Sequence, residues 1–189
     1  APFDLRVDPT FGCFHAGEQP SVILRAHRPK ARDTVELPFS IRVSNDVGSV
    51  VYQSLQRRPR VLPRLRVGRH GSVTVPLAFD PKPGLYRVEV TIGMGGVPVE
   101  TGFWIFEEKL FTSGDVLTFD SFTMRRGGKP EPVIGTTVMS STVHRKFLFE
   151  PNAAAWDDTF AELKSLDVNL VRTGIWSAYR KISLDPNVV

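Results

Sequence analysis

Short stretches in which apolar and polar residues alternate fill the chain between residues 20 and 106. In the clearest stretch, ELPFSIRVSND, the apolar residues stand at every second position: Leu37, Phe39, Ile41 and Val43. Turn-forming groups, among them Asn45-Asp46 and the Pro-Gly run 80–84, recur about every ten residues. Strict alternation puts one face of a strand in a core and the other in water, so the pattern predicts antiparallel sheets.

The segment PKPGLYRVEVTI places one of these turns directly before a strand. This phrase is typical of immunoglobulin-like and fibronectin-like domains, in which a tyrosine packs at the corner of the sandwich. We interpret Tyr86 as such a packed tyrosine rather than as a ligand contact. The sequence therefore predicts an immunoglobulin- or fibronectin-like antiparallel β-sandwich over residues 1–106.

The pattern changes after residue 106. Between residues 107 and 131 the alternation of Phe119, Phe122 and Met124 is imperfect, and RRGGKP contains a Gly-Gly turn. A Gly-Gly pair favours a tight hairpin because glycine tolerates positive φ. We predict a connecting strand and a β-hairpin over residues 107–131.

Residues 132–189 read as strand, helix and strand. Asn152 is a suitable N-cap for the helix AAAWDDTFAELKSL, whose apolar stripe consists of Trp156, Phe160, Leu163 and Leu166. The following run VNLVRTGIW is nearly continuously apolar, so the unit predicts a parallel pair with a right-handed crossover. Two parallel strands under one helix lack cover on their other sides, so we expect further polypeptide to surround them.

Net charge changes this picture little. The chain of 189 residues carries +4, much of it in the arginine-rich segment 57–70, RRPRVLPRLRVGRH. The segment is either a patch for a polyanion or the solvated face of a strand with its loops. The second interpretation is favoured, because two prolines break any helix and LRV alternates as a strand does. The segment lacks interleaved aromatic residues, so we predict no nucleic-acid partner. No apolar stretch reaches 18 residues, so we predict no membrane partner.

Candidate reactive groups are few. Cys13 is the only cysteine and lies beside Phe14, so it is interpreted as a small core residue rather than as a nucleophile. The histidines, at positions 15, 27, 70 and 144, lack the spacing of a metal site. The sequence contains no phosphate-binding loop and no nucleophile elbow. We therefore expect neither a metal nor a cofactor.

The segments FTMRRGGKP and VNLVRTG carry a family resemblance. Together with the intervening helix they resemble the entry into the TIM barrel of the large clan of retaining glycoside hydrolases that includes β-galactosidases. In that clan a hairpin "F-x-x-x-G-K-P" precedes a first strand that begins with glycine, here Gly135, and a second strand reads "V-N-x-V-R-x-G". Two departures are Asp167, where the clan usually has glycine, and the absence of an aromatic "N-Y" ending on the first strand.

The resemblance implies roles for three residues. It implies that Arg172 lies near the catalytic nucleophile and orients it, because a guanidinium keeps a neighbouring carboxylate ionised and aligned. Trp176, at the end of the second strand, could stack on a sugar or pack in a core. His144, in the loop after the first strand, could line a sugar subsite or lie on the surface.

The two carboxylates that retaining hydrolysis requires stand about 5–5.5 Å apart. In the clan they follow the fourth and seventh barrel strands, whereas this chain reaches only the second, so we assign no catalytic residue in it. The expected function is therefore that of an N-terminal part of a glycoside hydrolase, inactive in isolation. Its expected partners are a carbohydrate substrate and the remainder of the barrel. The alternative is a non-catalytic β-sandwich that serves as a binding or interaction module.

Overall fold

The computed structural model describes residues 4–9, 12–27, 34–54, 63–67, 71–93, 95–137 and 152–172. This part of the chain is mainly β, with several sheets. It forms two compact units, one made of the described residues up to Glu107 with 152–155, the other of 108–137 and 156–172. Within these ranges, neither helix is long and apolar enough to cross a membrane.

The first unit contains two main sheets. A three-stranded antiparallel sheet has the order β1 (Asp4–Pro9), β3 (Ser21–His27), β7 (Gly71–Pro76). The second sheet has the order β2 (Cys13–Phe14), β9 (Val99–Ile105), β8 (Gly84–Ile92), β4 (Val35–Asn45), β5 (Val50–Gln53). The short strand β6 (Arg64–Val67) pairs with the first half of β4. All these pairs are antiparallel except β2 with β9.

One hydrophobic core lies between the two sheets. The alternating residues Phe39, Ile41 and Val43 of β4 are buried in it, together with Val22 and Leu24 from the three-stranded sheet. Full burial of a side chain of this size contributes about 1.5–3 kcal/mol. The alternation therefore predicts the buried face correctly, and the arrangement is that of a β-sandwich.

Tyr86 closes the corner between the turn 80–84 and β8. Its hydroxyl accepts a hydrogen bond from the backbone N–H of Lys82 at 2.9 Å and donates one to the carbonyl of Lys82 at 2.9 Å. Its ring stacks on Phe103 with centroids 5.3 Å apart. The interpretation of Tyr86 as a packed corner residue is confirmed.

The interpretation of Cys13 as a core residue is wrong. Alternation along β2 directs Phe14 into the core and leaves Cys13 exposed. Partial burial, and secondarily the charge of Glu18, raise the pKa of the Cys13 thiol.

Strand β6 contains the described part of the arginine-rich segment apart from Pro63. Arg64 and Arg66 are exposed, whereas Leu65 and Val67 are buried. Arg64 also lies 3.8 Å from Glu36. Arg64 and Arg66 therefore lie on the solvated face of a strand, while the rest of the segment, apart from Pro63, lies outside the described residues.

The helix α2 (Ala153–Ser165) begins in the first unit. Asn152 is its N-cap as predicted, since its Oδ1 accepts a hydrogen bond from the N–H of Ala155 at 3.1 Å. Its Nδ2 donates to the carbonyl of Glu100 at 3.4 Å. A Cβ on Gly102 would lie 2.6 Å from the nitrogen of Ala154, so only glycine lets the first turn pack this closely against β9.

The second unit contains the predicted hairpin, which extends into a third short strand. After α1 (Lys109–Thr112) come β10 (Leu117–Phe119), β11 (Met124–Arg126) and β12 (Lys129–Pro130), paired antiparallel in that order. Asp120 fixes the turn between β10 and β11, because its Oδ1 accepts hydrogen bonds from the N–H groups of Phe122 at 3.0 Å and Thr123 at 2.8 Å. These backbone bonds lower the pKa of Asp120.

The predicted parallel pair is also present. Strand β13 (Gly135–Thr137) pairs in parallel with β14 (Leu170–Arg172), and α2 lies between them in the sequence. The apolar stripe of α2 is only partly covered, with Phe160 42% exposed and Leu166 65% exposed. Residues 173–176 of the predicted second strand lie outside the described residues, and the start of a TIM barrel remains a prediction.

Candidate functional site at the carboxyl edge of the parallel strands

The carboxyl ends of β13 and β14 meet at one edge. Thr137 is the register partner of Arg172, and Gly135 is the register partner of Leu170. Because paired residues of neighbouring strands point to the same face, Thr137 and Arg172 share one face and Thr136 and Val171 share the other. In parallel α/β sheets this carboxyl edge is where substrates bind. Arg172 is exposed there.

The turn that leads from α2 into β14 is a Schellman motif. The N–H of Val168 donates to the carbonyl of Leu163 at 3.1 Å, and the N–H of Asp167 donates to that of Lys164 at 3.1 Å. Asp167 has φ of 59°, the left-handed conformation that glycine usually supplies. Aspartate thus takes the position that glycine usually occupies in this motif, without loss of its hydrogen bonds.

Asn169 connects the two chain segments that enter the parallel pair. Its Oδ1 accepts a hydrogen bond from the N–H of Ile134 at 2.9 Å, and its Nδ2 donates to the carbonyl of Pro132 at 2.7 Å. Its backbone N–H donates to the carbonyl of Ile134 at 3.0 Å. The oxygen and the nitrogen of the side-chain amide therefore both bond to the segment that leads into β13.

A charged pair supports this amide at the amino end of the strands. The Nδ2 of Asn169 lies 3.5 Å from Oε1 of Glu131, whose Oε2 accepts a hydrogen bond from Nε of Arg126 at 2.6 Å. The hydrogen bond to Glu131 and its negative charge raise the pKa of Arg126. The amino end of the parallel pair is thus fixed by a continuous polar network, and Arg172 lies at the opposite end.

Of the three predicted site residues, the structure describes Arg172 alone. His144 and Trp176 lie outside the described residues, so their positions relative to Arg172 remain predictions. Sequence reasoning missed the network of Asn169, Glu131 and Arg126. The available signal was the asparagine of the V-N-x-V-R motif, which stands directly before the strand that carries the arginine.

Arg172 places a positive charge at the carboxyl edge. A guanidinium stays protonated and can hold a carboxylate in a fixed orientation, but it does not donate a proton at neutral pH. In the ranges that the structure describes, no group of three or more histidine, cysteine, aspartate or glutamate side chains could hold a metal ion. The Arg172 side chain thus has the chemistry to orient an acidic group but not to act as a general acid.

No protein-family model matches the chain, and no curated protein matches it. Among solved structures, β-glucuronidase 2 of Bacteroides uniformis, covalently bound to cyclophellitol-6-carboxylate aziridine, is similar with a TM-score of 0.39 and 14% identity, over 91% of this chain and 20% of that chain. The β-glucuronidase of Parabacteroides merdae has a TM-score of 0.32 and 13% identity, over 91% and 21%.

An alkylpurine DNA glycosylase of Pseudomonas fluorescens, bound to DNA containing an abasic site analog, has a TM-score of 0.35 and 13% identity, over 57% of this chain and 31% of that chain. The chain thus spans less than a third of the length of each of these three structures. Their TM-scores are too low to assign this chain a fold or an activity.

The predicted set of partners requires a correction. It excluded nucleic acid, and that exclusion is wrong because one of the similar structures is a DNA glycosylase bound to DNA. The exclusion came from the absence of interleaved aromatic residues in the segment 57–70, which bears on one segment only and not on the chain. We withdraw it and assign no nucleic-acid partner in its place.

Proposed function

We propose that the chain is the N-terminal part of a retaining glycoside hydrolase, in which a β-sandwich precedes the first βαβ unit of a TIM barrel. The observation that carries the proposal is the parallel pairing of β13 with β14. This pairing puts the arginine of the V-N-x-V-R motif at the carboxyl edge, where barrel enzymes hold their substrate.

We infer that the sandwich is immunoglobulin-like and that the domains are 1–106, 107–131 and 132–189. Two observations support the first inference. The sheet orders, β1-β3-β7 and β2-β9-β8-β4-β5, resemble the two sheets of that fold, and Tyr86 forms the tyrosine corner. The end of the first compact unit at Glu107, before 152–155 rejoin it, supports the first boundary.

The proposed task of Arg172 is to orient the nucleophilic carboxylate. A fixed guanidinium beside a carboxylate favours its ionised form, and an ionised carboxylate is what attacks the anomeric carbon in the retaining mechanism. The nucleophile and the acid/base are supplied by later barrel strands, and no residue of this chain is assigned to either task. Trp176 is proposed to stack on the sugar, and His144 to line the subsite.

The test compares the 189-residue chain with the product of the complete reading frame on a panel of aryl glycosides. We expect turnover by the longer product and none by the chain alone. In the longer product, Arg172→Ala should lower kcat about 100-fold, since misplacing a reacting group by about 1 Å costs that much. Arg42→Ala is the matched control, because Arg42 contacts Glu89 at 3.6 Å in the sandwich, and it should leave kcat unchanged. Turnover by the 189-residue chain, or none by the longer product, would overturn the proposal.

A non-catalytic interaction module is the second candidate. The observation that favours it is Phe122, which is 98% exposed in a turn that Asp120 fixes. Aromatic side chains, phenylalanine included, are enriched in interfaces between proteins. This candidate predicts that no glycoside on the panel is hydrolysed by either form of the protein.

A further inference from the structure

The parallel pair by itself specifies its register weakly. Each strand has three residues in register, and Thr136 and Thr137 are both polar enough to face water. A slip by one residue would turn each side chain of one strand to the opposite face of the sheet. Arg172 would then leave the face that it shares with Thr137. Something outside the strands must therefore fix the register.

Asn169 has the geometry for this task. It stands immediately before β14, and its side chain bonds to Pro132 and Ile134 in the segment that leads into β13. One residue of slip displaces a strand by about 3.3 Å, which is enough to break both bonds. Glu131 lies 3.5 Å from the same Nδ2 and is itself held by Arg126, so the amide cannot follow the slip by rotating without losing the contact to Glu131.

We propose that Asn169 is a positioning residue that sets the register of β13 against β14 and thereby fixes the face and edge at which Arg172 stands. The use of Arg172 in catalysis rests on the function proposed above. The register itself does not, and it can be measured without any substrate.

The test introduces cysteine pairs into the 189-residue chain after Cys13→Ser. Thr136→Cys with Val171→Cys joins register partners on one face, at a strand separation of about 4.8 Å that a disulfide can bridge. Thr136→Cys with Leu170→Cys is the matched control, because these residues point to opposite faces. Under diamide, peptide mass mapping should find a disulfide in the first pair only.

Asn169→Leu removes both side-chain hydrogen bonds at nearly constant volume. We expect it to slow formation of the 136–171 disulfide about tenfold, as follows from the loss of two bonds. The double variant Asn169→Asp, Glu131→Gln keeps an acceptor for Ile134 and supplies an amide donor from position 131, but it loses the donor to the Pro132 carbonyl. Its rate should therefore lie between those of Asn169→Leu and the parent, because one of the two side-chain bonds remains. Circular dichroism of each variant checks that the chain is folded.

Equal rates in Asn169→Leu and the parent would overturn the proposal, and so would a parent that forms no 136–171 disulfide. If Asn169→Leu does not fold, the double variant decides: it must form the 136–171 disulfide and not the 136–170 one. In the complete reading-frame product, Asn169→Leu should lower kcat while KM changes less than about threefold. Failure of turnover in the parent would count against the proposed function only, because the disulfide rates do not depend on it.

Discussion

At the residue scale, Thr101 is the least expected feature of the sandwich. It lies on the same face of β9 as Phe103 and Ile105 and is 2% exposed. Its hydroxyl has no hydrogen-bond partner among the described residues. A buried hydroxyl without a partner lowers stability, because it has lost its bonds to water and gained none. The surrounding core must offset this loss.

Thr101→Val should therefore stabilise the protein. Valine has nearly the same shape and carries no polar atom, so we expect the free energy of unfolding to rise by about 1 kcal/mol. Urea denaturation followed by tryptophan fluorescence measures the change. Thr101→Ser is the control, since it keeps the hydroxyl and removes a buried methyl group, and it should destabilise. A less stable Thr101→Val would mean that the hydroxyl is bonded.

Sequence reasoning succeeds for residues whose role depends on near neighbours in the chain. The cap formed by Asn152 and the corner formed by Tyr86 both involve partners within four residues. It fails where the partner is distant in the chain. Asn169 bonds to Ile134 and Pro132, and alternation alone cannot distinguish an orphaned threonine from one that faces water. The local sequence contains no signal for the bonds of Asn169 or for the missing partner of Thr101.

At the element scale, the end of α2 shows one element fixing the start of the next. The Schellman turn at Asp167 reverses the chain, and only two residues separate it from the first residue of β14. The left-handed conformation of an aspartate costs about 1 kcal/mol more than that of a glycine. The helix end therefore carries a strain that its sequence could relieve.

Asp167→Gly should stabilise the second unit. The expected gain is about 0.5–1 kcal/mol, because removal of the left-handed strain exceeds the added flexibility of the unfolded chain. Hydrogen exchange of the amides of α2 and β14 gives the measurement. Asp167→Ala tests the cause, since alanine keeps a Cβ and should not be more stable than aspartate. Equal protection in both variants would contradict a conformational origin.

The elements themselves were largely predictable. Alternation identifies β4 and β8, and the turn residues identify the hairpin, because one buried face imposes a period of two. The extent of burial on α2 was not predictable, since an apolar stripe shows which face avoids water but not what covers it. The pairing of β2 with β9 also escapes sequence reasoning, because a strand of two residues carries no period.

At the scale of the whole molecule, apolar exposure is uneven among the described residues. The first unit buries most of its large apolar side chains in one core, although Val35, Val47, Val50, Val97 and Trp104 are exposed. The second unit exposes most of its large apolar residues, which are Val116, Leu117, Phe119, Phe122, Val133, Ile134, Phe160, Leu166 and Leu170. Exposed apolar surface of this kind marks sites of interaction or a tendency to aggregate.

Phe122→Ser should reduce self-association without loss of stability. Because Phe122 is 98% exposed, its removal should change the free energy of unfolding by less than about 0.5 kcal/mol. Light scattering against concentration, together with binding of a hydrophobic dye, measures the effect. Phe103→Ser is the contrasting variant, since Phe103 is fully buried and its loss should unfold the sandwich. Unchanged dye binding in Phe122→Ser would show that the hairpin does not contribute the exposed surface.

The close approach at Gly102 has a consequence for the order of events on the ribosome. Residues 1–107 leave the exit tunnel well before residue 152, and N-terminal units generally fold first during synthesis. Strand β9, which carries Gly102, can thus be in place when Ala154 arrives. The first turn of α2 can then pack against a strand that is already folded. A delay in completing the sandwich would therefore delay the packing of the first turn of α2 on β9, which is translated earlier.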